Sequence, residues 1–191
     1  MSWDESLFRA VNGLAGRSGI LDWLALSLSS PDLLWSPAIV LGAYWLWLSR
    51  QEMVIAAPIL GGVIGIADFL GARIKGLAAR PRPCVALPDI HQIEACGKAF
   101  GFPSNHAVNT AAAAAFLHVL YPRSGWISWP LVVMIGLARV FIGAHYVTDV
   151  LAGWLLGGLL GAAAAWALLQ WPRFRRRPLP STRSAGVAVK Q

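Results

Sequence analysis

Long apolar stretches dominate the chain, and short polar segments separate them. Five such stretches cover residues 33–48, 53–74, 106–120, 126–142 and 147–171. A helix needs about 20 apolar residues to cross the ~30 Å hydrocarbon core of a bilayer, so stretches of this kind predict membrane spans. The pattern therefore predicts an all-α, polytopic membrane helix bundle with five spans.

The first 30 residues carry a weaker pattern. Gly13, Gly16 and Gly19 interrupt the apolar positions of this segment, which is short of a full crossing. We expect one or two amphipathic helices in the membrane interface, with a sixth span as the alternative. The chain then divides into an interfacial segment 1–30, a transmembrane domain 31–172 and a basic tail 173–191, expected to be disordered.

Composition supports a membrane protein and excludes a nucleic-acid reader. Hydrophobic residues make up 57% of the chain and charged residues only 13%, far from the balance of a soluble domain. The net charge is +7, but six of the sixteen basic residues lie in the tail, where no acidic residue accompanies them. Such a tail is typical of a cytoplasmic flank.

The distribution of basic residues predicts the orientation. With five spans, the tail, Arg123 and Arg50 lie on one side, which the positive-inside rule assigns to the cytoplasm. The segment 75–104 and the turn at 143–145 then face the periplasm or the cell exterior. We expect a protein of the bacterial cytoplasmic membrane with its chemistry on the outer side.

The outer segment carries more positive charge than its side of the membrane predicts. Lys75, Arg80, Arg82 and Lys98 all lie there. For Arg80 and Lys98, and for Arg73 just before the segment, we expect the side chains to reach lipid headgroups. The remaining cations are candidates for binding an anionic group, because ionisable residues at the edge of a membrane bundle usually line a site.

Three short polar clusters stand out against this apolar background. They are "KGLAARPRP" with Lys75 and Arg82, "PSNH" at residues 103–106, and "ARVFIGAHYVTD" with Arg139, His145 and Asp149. In order and spacing they resemble the three-part signature of the type 2 phosphatidic acid phosphatase superfamily. This resemblance implies the fold shared by the acid phosphatases and vanadium haloperoxidases. The chain departs from the signature at Asn105, where the family usually has glycine, and at Ala138, where it usually has serine.

The residue types of these clusters suit phosphoryl transfer. Lys75, Arg82 and Arg139 offer three cations for the phosphoryl oxygens, so the chemistry needs no metal or other cofactor. Ser104 adds a hydroxyl, and a helix starting near His106 would direct backbone N–H groups, including that of Asn105, at the same anion. The resemblance implies the same phosphate-binding role for Lys75, Arg82, Ser104 and Arg139.

Two histidines are the candidates for the nucleophile and for the general acid and base. His145 and Asp149 are four residues apart and can share one face of a helix, where the carboxylate would orient the ring of a nucleophilic His145. His106 would protonate the leaving oxygen and then activate the hydrolytic water. The resemblance implies the same roles for all three residues.

For the other polar residues, the sequence makes less specific predictions. Cys84 and Cys96 lie in the outer segment, where a disulfide is the expected state and two free thiols the alternative. Zinc is not expected, because His91 is the only extra ligand nearby. Asp68, inside the second predicted span, requires a polar partner or a water pocket.

The clusters identify a phosphoryl group but not the lipid that carries it. The short chain, the interfacial start and the five-span plan look like bacterial undecaprenyl-diphosphate phosphatases of this superfamily. We therefore predict a membrane-embedded lipid phosphatase that converts undecaprenyl diphosphate to the monophosphate and so recycles the cell-wall carrier lipid. Alternatives are phosphatidic acid, phosphatidylglycerol phosphate or a lipid A phosphate as substrate and, more remotely, a non-catalytic lipid-phosphate binding or transport protein.

Overall fold

The computed structural model describes residues 2–30, 50–97 and 99–171, and within these ranges every regular element is helical. The α-helices are α1 (Trp3–Asn12), α2 (Gly19–Ser29), α3 (Arg50–Ala78), α4 (Pro83–Ala86), α5 (Asn105–Leu120), α6 (Gly125–Phe141) and α7 (Val147–Leu169), and a short 3₁₀ helix, Pro122–Ser124, precedes α6. The prediction of an all-helical protein is confirmed for these residues.

Three stretches in the described part are long and apolar enough to cross a bilayer. They are Val54–Ala78, Pro122–Phe141 and Val147–Leu169. Helix α5 coincides with the predicted span 106–120. Its 16 residues are only about 24 Å long at 1.5 Å per residue, which is shorter than the hydrocarbon core. The predicted span 33–48 and the tail 173–191 lie outside the described residues, so the number of five or six spans stays a prediction.

Helix α5 lies at the centre of the bundle, against α3, α6 and α7. Its contact with α7 is the closest, because α7 presents Gly153, Gly157 and Gly161 to it. A Cβ atom at Gly157 would overlap the carbonyl oxygen of Val108, and one at Gly161 that of Ala112. The spacing of four residues thus marks a seam where two helix backbones touch, as in other membrane bundles.

This seam fixes the relative position of the two helix starts. The backbone N–H of Ser104, just before α5, donates to the carbonyl of Asp149 in the first turn of α7 at 3.0 Å. The ends of α3 and α6 lie near these starts, because Lys75 in the last turn of α3 interacts electrostatically with Asp149, and a turn of five residues joins α6 to α7. Four helices therefore bring their polar termini to one end of the bundle.

The segment between α3 and α5 folds back over this end. Arg82 N–H donates to the carbonyl of Ala99 at 3.0 Å, and Gly101 N–H donates to that of Arg80 at 2.8 Å. A disulfide between Cys84 and Cys96 closes the intervening stretch. Few of its side chains are buried, so backbone hydrogen bonds and the disulfide give the segment its shape.

The N-terminal segment forms two short helices. At 10 and 11 residues, α1 and α2 are each only about 15–17 Å long and too short to cross a bilayer. Helix α1 packs against α6 and α7, and α2 packs against α6. The buried face of α1 therefore meets protein; whether its other face lies in the interface stays a prediction.

Candidate active site

His145 lies in the turn between α6 and α7. Gly143 has a φ of +86°, a left-handed conformation that glycine adopts without strain. The N–H of His145 then donates back to the carbonyl of Arg139 at 3.2 Å. The side chain is almost fully buried, at 1% exposure. Burial lowers the pKa of His145 to about 3, so its imidazole is neutral at physiological pH.

Asp149 faces this imidazole from the first turn of α7. Its Oδ2 lies 3.6 Å from Nδ1 of His145 and accepts the backbone N–H of Tyr146 at 3.0 Å. The expectation that both residues share a helical face is wrong, because α7 begins at Val147 and His145 precedes it. Asp149 reaches back as part of the helix cap, which brings its carboxylate to the ring.

Arg82 lies on the other side of the same ring. Its Nη1 is 3.3 Å from Nε2 of His145 and donates to the carbonyl of Ala144 at 3.3 Å, while its Nε donates to Phe100 at 3.2 Å. Because arginine can only donate, Nε2 is the acceptor and Nδ1 carries the proton that faces Asp149. Burial lowers the pKa of Arg82 from its usual value.

Arg139 closes the site from the end of α6. Only 7% exposed, it donates from Nη1 to Oε2 of Glu94 at 3.1 Å, and its buried Nε has no hydrogen-bond partner among the described residues. Arg82, Glu94 and Arg139 line a cavity of about 120 Å³ together with the disulfide. A carboxylate thus rests on a guanidinium where a phosphoryl oxygen is expected.

The remaining predicted site residues lie around this core. Lys75, in the last turn of α3, is close enough to Arg82, Arg139 and Asp149 to interact with them electrostatically. His106, in the first turn of α5, interacts in the same way with all three predicted cations. Its ring also meets the backbone of Ser29 at the end of α2.

The hydroxyl of Ser104 lies just before the start of α5. It is fully buried, and its Oγ has no hydrogen-bond partner in the part of the chain that the structure describes. A buried polar group without a partner costs free energy, about 1–3 kcal/mol, unless something binds it. A phosphoryl oxygen would supply the missing partner.

Asn105 has a different partner from the one expected of a phosphate ligand. Its Nδ2 donates to Oδ1 of Asp68 at 2.8 Å, and Asn109 donates to the same oxygen at 3.2 Å. These amides are the polar partners that Asp68 requires within α3. Contact between phosphate and the backbone N–H of Asn105 stays a prediction.

The expectation that Arg80 reaches lipid headgroups is wrong. Its guanidinium binds Asp149 and Asp4, each at 2.6 Å, and covers the ring of Tyr146 at 4.2 Å from the centroid. The sequence gives no signal for Asp4, because nothing local links α1 to a residue 76 positions later. Arg73 covers the ring of Phe69 at 4.9 Å, and Lys98 lies outside the described residues.

The arrangement as a whole is suited to phosphoryl transfer. A neutral, buried imidazole has a carboxylate at one nitrogen and a guanidinium at the other, with further cations around it. In the described ranges, no three metal-ligating side chains form a cluster that could hold a metal ion. A nucleophilic nitrogen beside fixed positive charge is what attack on a phosphate ester or anhydride requires.

The chain is similar to known proteins in both sequence and fold. The family model of the PAP2 superfamily matches residues 56–176. Undecaprenyl-diphosphatase BcrC of Bacillus subtilis is 30% identical over 162 residues, which cover 81% of this chain and 79% of that protein.

Two solved structures share the fold. The crystal structure of Aquifex aeolicus LpxE aligns with a TM-score of 0.71 at 23% identity, covering 90% of this chain and 97% of that one. A transmembrane PAP2 type phosphatidylglycerolphosphate phosphatase from Bacillus subtilis aligns with a TM-score of 0.67 at 26% identity, covering 90% and 87%. With the family match extending over more than half of its length, the chain belongs to the PAP2 superfamily.

Proposed function

We propose that this membrane lipid phosphatase hydrolyses undecaprenyl diphosphate to undecaprenyl phosphate through a phosphohistidine at His145. The observation that carries the mechanism is the environment of the His145 ring, with Arg82 at 3.3 Å from Nε2 and Asp149 at 3.6 Å from Nδ1. The similarity to undecaprenyl-diphosphatase BcrC over four fifths of the chain supports the substrate.

The first step transfers the terminal phosphoryl group to His145. Nε2 releases its contact with Arg82 and attacks phosphorus, while Arg82, Arg139 and Lys75 hold the phosphoryl oxygens. As the N–P bond forms, the P–O bond to the lipid phosphate breaks, and His106, which takes up a proton when the anionic substrate neutralises the surrounding cations, gives that proton to the leaving oxygen. Asp149 stabilises the positive charge that develops on the imidazole.

The second step regenerates the enzyme. His106, now neutral, takes a proton from a water molecule that attacks the phosphohistidine, and the N–P bond breaks to release inorganic phosphate. His145 returns to its neutral form, which its buried position favours because desolvation disfavours the charged ring. No step requires a metal ion, so we expect activity to persist in EDTA.

The proposed topology places this chemistry on the outer face of the bacterial cytoplasmic membrane. In the five-span plan the tail 173–191 lies in the cytoplasm and the segment 75–104 lies outside. The disulfide between Cys84 and Cys96 supports an oxidising compartment for this segment. A cytoplasmic active site would leave that disulfide exposed to reducing conditions.

Trapping the intermediate tests the mechanism. Purified protein is mixed with undecaprenyl diphosphate labelled in its terminal phosphate and quenched in alkali, in which phosphohistidine is stable. We expect label on the wild type and none on His145→Ala, which should also lose turnover. His106→Ala should lose about 10²–10⁴-fold in turnover, the usual contribution of general acid–base catalysis.

A histidine outside the site provides the control. His118→Ala changes the last turn of α5, at the opposite end from His106, and should leave turnover unchanged. Full turnover in His145→Ala would contradict the mechanism. Phosphate release from phosphatidic acid, phosphatidylglycerol phosphate and lipid A under the same conditions tests the substrate, and faster release from any of these would contradict that part.

A further inference from the structure

The buried carboxylate of Asp4 joins the N-terminal helix to the candidate active site. Asp4 is 4% exposed, and its Oδ2 accepts from Nη2 of Arg80 at 2.6 Å. Its Oδ1 accepts the backbone N–H of Thr148 at 3.1 Å, one residue before Asp149. A residue near the start of the chain therefore touches the segment that carries the catalytic carboxylate.

Arg80 bridges Asp4 and Asp149 with opposite ends of one guanidinium. Nη2 binds Asp4, while Nη1 donates to Oδ1 of Asp149 and to the hydroxyl of Thr148, both at 2.6 Å. The ring of Tyr146 lies under the guanidinium at 4.2 Å. Two carboxylates and an aromatic face thus fix the plane of Arg80.

This bridge determines which oxygen of Asp149 is left for His145. Arg80 occupies Oδ1, whereas Oδ2 faces Nδ1 of His145 at 3.6 Å. We propose that Asp4 and Arg80 are positioning residues, which hold the carboxylate of Asp149 in the orientation that keeps the proton of His145 on Nδ1 and its lone pair on Nε2. The proposal rests on the nucleophilic role of His145 proposed above.

The charges of the bridge are stable at neutral pH. Burial opposes the charged form of Asp4, but hydrogen bonds from Arg80 and Thr148 outweigh it and lower the pKa of Asp4. Burial likewise opposes the charged form of Arg80, but its hydrogen bond to Asp4 and the charge of Asp149 outweigh it and raise the pKa of Arg80. Asp4 and Arg80 therefore persist as an ion pair.

The rest of α1 supports a role at the site. Asp4, Phe8 and Asn12 are spaced by four residues and form its buried face. Phe8 packs edge-on against the ring of Tyr146, with centroids 5.6 Å apart. Asn12 donates to the carbonyls of His91 and Phe141, both at 2.8 Å. The helix thus supports the residues on both sides of the His145 turn.

Kinetics of single variants test the proposal. Asp4→Asn and Arg80→Gln should lower kcat about 10- to 100-fold, with KM nearly unchanged. This is the size of the loss known for residues that orient a metal-ligating histidine through a hydrogen bond. Arg80→Lys should also lower kcat, because an ammonium is a point charge that lacks the fork needed to bridge two carboxylates. Glu5→Gln and Arg9→Lys, which alter the neighbouring pair on α1, are the matched controls and should retain wild-type kcat.

A double-mutant cycle separates positioning from a merely structural role. In an Asp149→Asn background, Asp4→Asn should cause no further loss of kcat, because the group that it positions is already gone. An equal loss in both backgrounds would overturn the proposal. So would an Asp4→Asn loss that is fully explained by a smaller fraction of folded protein, measured by thermal unfolding of the same sample.

The outcomes also separate this proposal from the proposed function. If His145→Ala is inactive while Arg80→Lys and Asp4→Asn keep wild-type kcat, only the positioning role fails. If His145→Ala keeps full turnover, the proposed function fails. If Asp4→Asn does not fold, Arg80→Lys decides, and wild-type kcat in that variant overturns the positioning role.

Discussion

The helix starts of α5 and α7 form one half of this comparison and the segment 79–103 forms the other, since both carry residues of the candidate site. Ser104, His106 and Asp149 lie at helix starts whose backbones touch along the glycine seam. Arg82 and Glu94 lie on the connecting segment, where Pro83 is the buried residue among those described between 79 and 100. One half is held by apolar packing and the other by polar contacts.

The difference indicates how each half tolerates change. Helices packed backbone to backbone cannot shift separately. The bundle therefore fixes the distance between His106 on α5 and Asp149 on α7. The segment has no comparable core among its described residues, so we expect its hydrogen bonds to open, or its disulfide to be reduced, without unfolding of the helices. We therefore expect substrate entry to depend on the segment, and the relative position of His106 and Asp149 to depend on the helices.

The largest expected effect comes from filling the glycine seam. In Gly157→Leu the new Cβ would overlap the carbonyl oxygen of Val108, which belongs to helix backbone and cannot rotate away. Overpacking costs about 1–3 kcal/mol when side chains can adjust, and more when backbone has to move. We expect loss of folded protein in detergent and of phosphate release, measured by thermal unfolding and turnover.

Gly158, the residue next to Gly157 on α7, offers a matched control. A Cβ added at Gly158 would meet no atom of a neighbouring described element within 4 Å, so Gly158→Leu adds the same side chain to the same helix without a clash. That variant should unfold at or above the wild-type temperature, because replacing a glycine inside a helix gains up to about 1 kcal/mol. Equal behaviour of both variants would show that the seam is not what holds α5 against α7.

A smaller effect is expected from opening the segment. Replacing both cysteines, Cys84→Ser with Cys96→Ser, should leave the helices folded but loosen Arg82, which lies two residues before Cys84. A loss of about 1 kcal/mol in transition-state binding would lower turnover roughly fivefold. Turnover and thermal unfolding are measured together, and only turnover should change substantially.

The reducing agent dithiothreitol provides the control for this experiment. It should lower the turnover of the wild type towards that of the double variant and have no effect on the double variant itself. Unchanged turnover in both the reduced wild type and the variant would mean that the disulfide does not support the site. In that case the polar contacts of the segment 79–103 would not be what holds Arg82 in place.

The sequence predicts the packed half of the site better than the polar half. The predicted stretches 126–142 and 147–171 differ from Gly125–Phe141 and Val147–Leu169 by at most two residues at each end. Apolar length is a local property, and the spacing of Gly153, Gly157 and Gly161 is visible in the sequence. These features can therefore be predicted without knowing the fold.

Polar contacts between distant segments cannot be predicted in this way. A lone arginine near a helix end gives no indication whether it reaches headgroups or, like Arg80, a carboxylate 76 residues earlier. Asn105 lies in a phosphate motif, but Asp68 on α3 binds its side chain. Likewise, the cap formed by Asp149 depends on where α7 begins, and helix boundaries are the least certain part of a sequence-based prediction.

The smallest effect is expected at the contact between the two halves, where Glu94 of the segment binds Arg139 of α6 at 3.1 Å. If this carboxylate occupies the place of a phosphoryl oxygen, Glu94→Gln should strengthen inhibition by inorganic phosphate. Because Glu94 is 43% exposed, the pair is worth only about 0.2–1 kcal/mol, and the inhibition constant should fall by about fivefold at most.

Asp89→Asn is the matched control, because it removes an exposed acid from the same segment without touching Arg139. Asp89 has a φ of +55°, which asparagine also adopts readily, so this change should not strain the backbone. If both variants bind phosphate more tightly to the same extent, the loss of any negative charge from the segment explains the change. Glu94 then does not compete with phosphate for Arg139. If only Glu94→Gln does so, the segment covers the anion site with its own carboxylate, and substrate must displace that carboxylate before His145 can attack.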